Sequence, residues 1–277
     1  MNSITEGFIH SSDLTIALQP VFDIESGGSV SFFESTLRVT GTPDPSLHIH
    51  LLSIAERLGF IDHIDLHVLG LTVEVLRRHP TMCASINVSQ RSILEEGQQL
   101  LRRLAASQVS ERIIVEITES AEIPSAWVSI FAAGVREVGC QVAVDDFETG
   151  YADDVLVRAV RPHLIKVVID DTTRHYRERI GRTIELAREV GAQVVGEKID
   201  TDEKIALAQM MGIRYLQGFS LATPVFQKDL AAYLRTKEGS MIAIDQGSTP
   251  GIRPHPTGRS QAIHGDRKIG LVEETRR

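Results

Sequence analysis

The 277-residue chain has little cysteine, no excess of basic residues and no long apolar run, and each shortage excludes a class of protein. Two cysteines, Cys83 and Cys140, lie in apolar strand-like runs; they are too few for a disulfide framework and read as small buried hydrophobes. Asp and Glu outnumber Lys and Arg by 37 to 29, a formal net charge of −8, so the clustered cations that displace counterions from a nucleic acid polymer are missing. No apolar stretch approaches transmembrane length, and the opening "MNSITEGFIHSSDL" lacks the basic and apolar regions of a secretory signal. The expectation is a reduced, cytoplasmic protein with neither a membrane nor a nucleic acid polymer as partner. What is present, 42% hydrophobic and 24% charged residues, suits a chain that buries a sizeable core.

The pattern opens with two β-rich runs, "LTIALQPVFDI" and "SVSFFESTLRVT", joined by hairpin chemistry in "ESGG". Apolar residues at helical spacing follow in "LHIHLLSIAERLG" and "HIDLHVLGLTVEVLRRH". Six short apolar runs come next: "CASINVS", "RIIVEIT", "QVAVDDF", "HLIKVVI", "AQVVGEK" and "IRYLQGF", with helical periodicity between most of them. Eight strand-like runs alternating with helices imply a mostly parallel sheet closed as a (β/α)8 barrel. We read an N-terminal arm at 1–13, the barrel at 14–239 and a flexible tail at 240–277. The tail is rich in Gly, Pro and polar residues and locally basic, with six Lys or Arg against three Asp or Glu between Gly247 and Arg277.

In such a barrel catalytic groups sit where the strands end, so the residues closing each run are informative. They are Asn87, Glu116, the adjacent pair Asp145 and Asp146, Lys166, Glu197 and Gln217, with Glu34 adding a carboxylate on the second strand. One carboxylate at a strand end is ordinarily a turn or cap residue. Asn87 alone would be read as a helix cap. The same chemistry closing consecutive strands, around a lysine that burial would penalise if unpaired, calls for a cation. Oxygen donors of this kind suit Mg²⁺ or Mn²⁺, and two adjacent aspartates could serve two ions in phosphoester cleavage. His63 and His67 have helical metal-pair spacing but no HExxH glutamate and no third ligand, and read as a solvated helix face.

These residues occur in a series that resembles the EAL-domain phosphodiesterases of cyclic di-GMP. The matching pieces are "LQPVFDIESGGSV", "ESTLR" for the family's EALLR, "INVS", "VEITES", "VDDFETGY", Lys166, "VVGEKIDT" for AEGVET, and "LQGF" followed by Pro224, in family order from Leu18 to Val225. The resemblance implies a TIM-like (β/α)8 barrel with one antiparallel strand, the second pairing antiparallel with the first. It implies metal ligation by Glu34, Asn87, Glu116, Asp145 and Asp146, with Glu197 metal-linked or positioning water. It further implies that Lys166 orients the hydrolytic water, that Gln217 holds it or its polar surroundings, that Arg38 meets a phosphate and that Gln19 lines the nucleotide pocket. Glu119 is similar to the glutamate that braces the double-aspartate loop. The implied reaction is Mg²⁺- or Mn²⁺-dependent hydrolysis of cyclic di-GMP to linear pGpG.

The chain departs from the family pattern around these residues. Ser35 and Thr36 replace the Ala and Leu of EAL, Glu148 stands for a glycine, and Val168 for the acid two residues after the lysine. Gly196, Lys198 and Asp200 alter AEGVE. Two functions follow: an active phosphodiesterase, or a degenerate module that binds cyclic di-GMP or a protein partner with little turnover. A barrel enzyme for another phosphodiester is disfavoured by the ordered series. No sensory or GGDEF-like segment is read before the first strand, so regulation is expected through expression, a homodimer, the tail or a regulatory protein partner.

Overall fold

Two glycines turn the first strand back on itself. Gly27 and Gly28 have φ of 74° and 79°, a backbone that only glycine adopts without strain, and they join β1 (Leu14–Asp23) to β2 (Ser29–Val39). In the computed structural model the described residues are 13–41, 46–118, 123–145, 147, 154–170 and 174–236. After the hairpin come α1 (Leu47–Leu58), α2 (Ile61–Arg78), β3 (Ala84–Ser89), α3 (Gln90–Ala106), β4 (Ile113–Thr118), α4 (Ser125–Glu137) and β5 (Gln141–Val144). The chain continues through α5 (Asp154–Val160), β6 (Leu164–Val168), α6 (Arg174–Val190), β7 (Gln193–Glu197), α7 (Asp202–Met210), β8 (Tyr215–Leu216), β9 (Val225–Phe226) and α8 (Leu230–Tyr233).

Strands β2 to β8 are parallel in sequential order, and β1 pairs antiparallel with both β2 and β8, closing a TIM-like ring of eight. The antiparallel strand is thus the first. Gln19 lies opposite Glu34 in its register. The added β9 pairs with β1 at Ala17 and Leu18; two residues carry too little periodicity to read from sequence. At the end of the barrel away from the mouth, Asp23 accepts from the Glu25 and Ser26 N–H groups and from Arg214 Nε at 2.9 Å, tying the hairpin to β8.

Period-two alternation divides the strands into two buried layers. Ile16, Leu18, Phe33, Ile86, Val115, Val142, Ile165 and Val194 join the cluster shared with the helices. The residues of opposite parity, Val21, Phe32, Ile114, Ala143, Leu164, Val195 and Tyr215, are buried along the barrel axis. They plug the barrel below its mouth, as filled layers do in this architecture. No helix among the described residues is long and apolar enough to cross a membrane.

The last strand depends on one glycine. A Cβ added to Gly218 would overlap the backbone N, C and O of Ile199, whose N–H donates to Gln217 O at 3.1 Å and whose carbonyl accepts from Ser220 N–H at 3.0 Å. Gly218→Ala must therefore push apart the segments after β7 and β8. We expect it to cost about 3 kcal/mol, lowering the melting temperature by roughly 10 °C; an unchanged thermal melt would contradict this packing.

Candidate active site

The inward parity of the strands delivers a polar side chain from each of β2 to β8 to the mouth, from the middle or C-terminal part of the strand or from just after it. Glu34 arrives from β2, Asn87 from β3, Glu116 from β4, Lys166 from β6 and Glu197 from β7, while Asp145 and Gln217 follow β5 and β8 directly. The structure brings all seven together. Lys166 is their hub: its Nζ lies 2.7 Å from Glu116 Oε2, 2.8 Å from Glu197 Oε1, 3.3 Å from Glu34 Oε2 and 3.3 Å from Asp145 Oδ1.

Glu34 is held from three sides. Its Oε1 accepts from Asn87 Nδ2 at 3.0 Å, and its Oε2 accepts from Gln217 Nε2 at 2.8 Å as well as from Lys166. Burial opposes its charge, but the Lys166 ammonium and the two amide donors hold its carboxyl below the ordinary value. Glu116 goes the other way. Its burial, together with the charges of Glu34 and Asp145, outweighs Lys166 and pushes it up to about 8. Burial, with Asp145 and Glu34 adding to it, likewise raises Glu197 well above the usual carboxylate range. Lys166 is raised well above its ordinary value despite burial, because Asp145, Glu116, Glu197 and Glu34 face it. One ammonium leaves four carboxyl groups short of positive charge.

The remaining oxygens show where more positive charge would fit. Asn87 Oδ1, Glu116 Oε1 and Gln217 Oε1 are buried without a hydrogen-bond partner among the described residues. Glu34, Glu116 and Asp145 each offer an oxygen within 4.8 Å of the others. Hard oxygen donors grouped in this way suit a hexacoordinate divalent cation and would satisfy acceptors that burial otherwise penalises. Asn87 does not cap the following helix: Ser89 does, accepting the Ser92 N–H at 3.0 Å. The Asn87 side chain is thereby left to the mouth.

The other expected residues lie at the rim or outside the described residues. Arg38, two residues beyond Thr36 on the face of β2 that bears Glu34, is half-buried and donates to Leu37 O at 2.7 Å. Gln19 Nε2 makes a long 3.5 Å contact to Ala222 O in the segment after β8. Asp146, Glu119 and Glu148 fall outside the described residues, as does the whole tail at 240–277. Among the described residues, His63 and His67 join no group of metal-donor side chains.

The altered positions have structural readings. Thr36 donates its hydroxyl across the hairpin to Ala17 O at 3.2 Å. Ser35 faces the outer layer, where its buried Oγ has no hydrogen-bond partner among the described residues. Gly196 stands where a Cβ would come 3.0 Å from Ile169 Cγ1 and 3.1 Å from Leu216 Cδ2, so an alanine would crowd these side chains. Lys198 has φ of 52°, a left-handed backbone that suits the glycine it replaces. Val168 pairs with Glu197 across β6 and β7 and shares the face of Lys166. Two residues that bear on the site escape a reading of strand ends: Gly218, whose need is set by a distant backbone, and Asp65, a buried carboxyl in α2 behind β3.

Comparison with known proteins bears on the family and the fold. The family described as EAL domain matches residues 1–224. The probable cyclic di-GMP phosphodiesterase PdeA of Escherichia coli is 27% identical over 232 residues, covering 78% of this chain and 31% of the relative. This chain therefore spans less than a third of that relative's length. Among solved structures, the PaMucR phosphodiesterase complex with cyclic di-GMP superposes with a TM-score of 0.68 at 22% identity, covering 79% of this chain and 99% of the other. The Klebsiella pneumoniae BlrP1 complex with manganese and cyclic di-GMP gives 0.66 at 22% identity, over 78% and 57% of the two chains. At that identity the structures speak for the fold.

Proposed function

This chain belongs to the EAL domain family, and from that premise we propose that it hydrolyses cyclic di-GMP to linear pGpG with Mg²⁺ or Mn²⁺ as cofactor. The observation that carries the reading is the set of three buried, unpartnered oxygens on Asn87, Glu116 and Gln217 beside the Glu34, Glu116 and Asp145 carboxyl group cluster. Glu34, Asn87, Glu116, Asp145 and Asp146 would hold the cation. When bound it supplies Lewis-acid stabilisation of phosphate charge and a more acidic water.

The chain's own residues do the rest. Lys166, fixed by four carboxyl groups, donates toward the oxygen of the attacking water and orients its lone pair at phosphorus. Glu197, 2.8 Å from Lys166, would take the water's proton and pass it to the leaving O3′. Gln217 fixes Glu34 through Nε2 and presents Oε1 to the same space. Arg38 contributes a guanidinium to a substrate phosphate, Gln19 contacts the nucleotide at the rim, and Glu119 braces the double-aspartate loop. In-line attack forms one P–O bond, breaks the bridging P–O3′ bond and leaves a 5′-phosphorylated linear dinucleotide. Incubation of the full chain with cyclic di-GMP, with and without Mn²⁺, and chromatography of the products tests this. Metal-dependent pGpG is expected, and no product under either condition would refute it.

Val168 favours a second reading, a module that binds cyclic di-GMP or a protein partner with little turnover. This apolar side chain is buried beside Lys166 where the family pattern places an acid. If that acid is the missing support, Val168→Asp raises turnover about tenfold; no gain removes this explanation of weak activity. A cytoplasmic location, in which free Cys83 and Cys140 stay reduced, a homodimer and a regulatory protein partner belong to the same proposal. A monomer's mass by light scattering, with and without cyclic di-GMP, would exclude the homodimer.

A further inference from the structure

Helix α2 carries a carboxyl on its apolar stripe. Asp65 is 6% exposed and stands between buried Ile61, Leu69 and Leu76 along that face. Its Oδ2 accepts the Ser89 backbone N–H at 2.9 Å and the Ser92 hydroxyl at 2.6 Å. The Ser89 hydroxyl in turn lies 2.9 Å from the Ser92 hydroxyl and accepts the Ser92 N–H. One oxygen of Asp65 thus grips the turn where β3 becomes α3 at two points.

Helix capping does not require this carboxyl, because Ser89 already caps α3. Fold stability does not favour it either. Burial pushes it up to about 7 against the hydrogen bonds of Ser92 and Ser89, and Asp62 one turn away adds like charge. An apolar side chain on this stripe would avoid that cost. What Asp65 supplies is direction, at a point two residues after Asn87. There an amide must donate Nδ2 to Glu34 at 3.0 Å while keeping Oδ1 buried and unpartnered.

We infer that Asp65 is a positioning residue for the phosphodiesterase reaction, acting through Ser89 and Ser92 to hold the end of β3 so that Asn87 presents Oδ1 to the cation. The inference rests on the proposed function of the mouth. Outer partners of metal ligands commonly change metal affinity or activity by about ten- to a hundredfold. A carboxyl reaching the ligand's own strand end through two hydrogen bonds acts in the same way.

The test compares the full chain with Asp65→Ala, Asp65→Asn and Ser92→Ala by Mn²⁺ titration followed by electron paramagnetic resonance, by steady-state kinetics and by thermal melting. Asp65→Ala is expected to weaken Mn²⁺ binding and lower kcat by about tenfold each, with KM for cyclic di-GMP little changed. Asp65→Asn keeps an acceptor oxygen for Ser89 and Ser92 and should restore both. Ser92→Ala deletes one of the two Asp65 bonds, together with the Ser89–Ser92 hydroxyl contact, but keeps the Ser92 N–H on the Ser89 cap; it gives a smaller loss of Mn²⁺ affinity, a measurement that stands even if Asp65→Ala fails to fold. Variants that melt earlier yet bind Mn²⁺ and turn over as the wild type does below the transition would overturn the inference alone. A wild type that neither binds Mn²⁺ nor yields pGpG would overturn the proposed function and this inference together.

Discussion

Replacing Glu34 with alanine is expected to lower Mn²⁺-dependent production of pGpG about a thousandfold while leaving the barrel folded. Glu34 accepts three hydrogen bonds at the mouth. Its two oxygens accept from Asn87, Gln217 and Lys166 at 3.0, 2.8 and 3.3 Å, and one of them lies in the group that could ligate a cation. Deletion therefore does three things at once. It removes a ligand oxygen, frees the amides of Asn87 and Gln217 to rotate, and takes one counter-charge from the lysine that orients water. Glu34→Gln separates these effects, since it preserves shape while losing the charge. Product chromatography beside circular dichroism checks the result. Folded Glu34→Ala protein with wild-type turnover would show that the mouth is not where the chemistry occurs.

Lys166→Met should be the most destabilising change at the mouth. It leaves Glu34, Glu116, Asp145 and Glu197 facing one another without the ammonium 2.7 to 3.3 Å from each. Breaking a buried ion pair from one side costs about 3–5 kcal/mol. The loss depends on pH with a definite sign. A carboxyl whose folded pKa lies above its unfolded value costs stability as pH rises from the unfolded value through the folded one. Glu116 is already pushed from an ordinary 4.5 up to about 8 with Lys166 present, and removal of the lysine extends that cost to its neighbours. The variant should thus lose much more stability at about pH 8 than at about pH 5, where the carboxyl groups can protonate. Mn²⁺ should return part of it by replacing the missing positive charge. Thermal melts at both pH values, with and without Mn²⁺, read all three effects. Equal melting of wild type and variant throughout would contradict the charge account of the site.

Much of this site was legible in the sequence because a barrel puts its chemistry at the ends of its strands. Asn87, Glu116, Asp145, Lys166, Glu197 and Gln217 each follow or interrupt an apolar run, and the structure gathers them with Glu34. The eight strands were legible because strands buried between two apolar layers read as short, nearly continuous apolar runs. What was hidden depends on three-dimensional approach. That Gly218 must lack a side chain is decided by the backbone of Ile199, nineteen residues earlier in the chain. Asn87 resembles a cap in sequence, and only the position of Ser89 against Ser92 shows that another residue fills that role. Asp65 reads as a polar interruption of an amphipathic helix until its oxygen is placed against the end of β3. The same holds for Ser35, which looks like a change in the site but faces the helices.

Hydrolysis in water enriched in the heavy oxygen isotope tests the central claim most directly. The full chain is incubated with cyclic di-GMP and Mn²⁺ in that solvent, and the product is weighed by mass spectrometry. Water attack on phosphorus at the mouth predicts linear pGpG carrying one heavy oxygen on its terminal phosphate, formed with Mn²⁺ and absent when the metal is chelated. Intact cyclic di-GMP after prolonged incubation with Mn²⁺, or a linear product without the label, would contradict it.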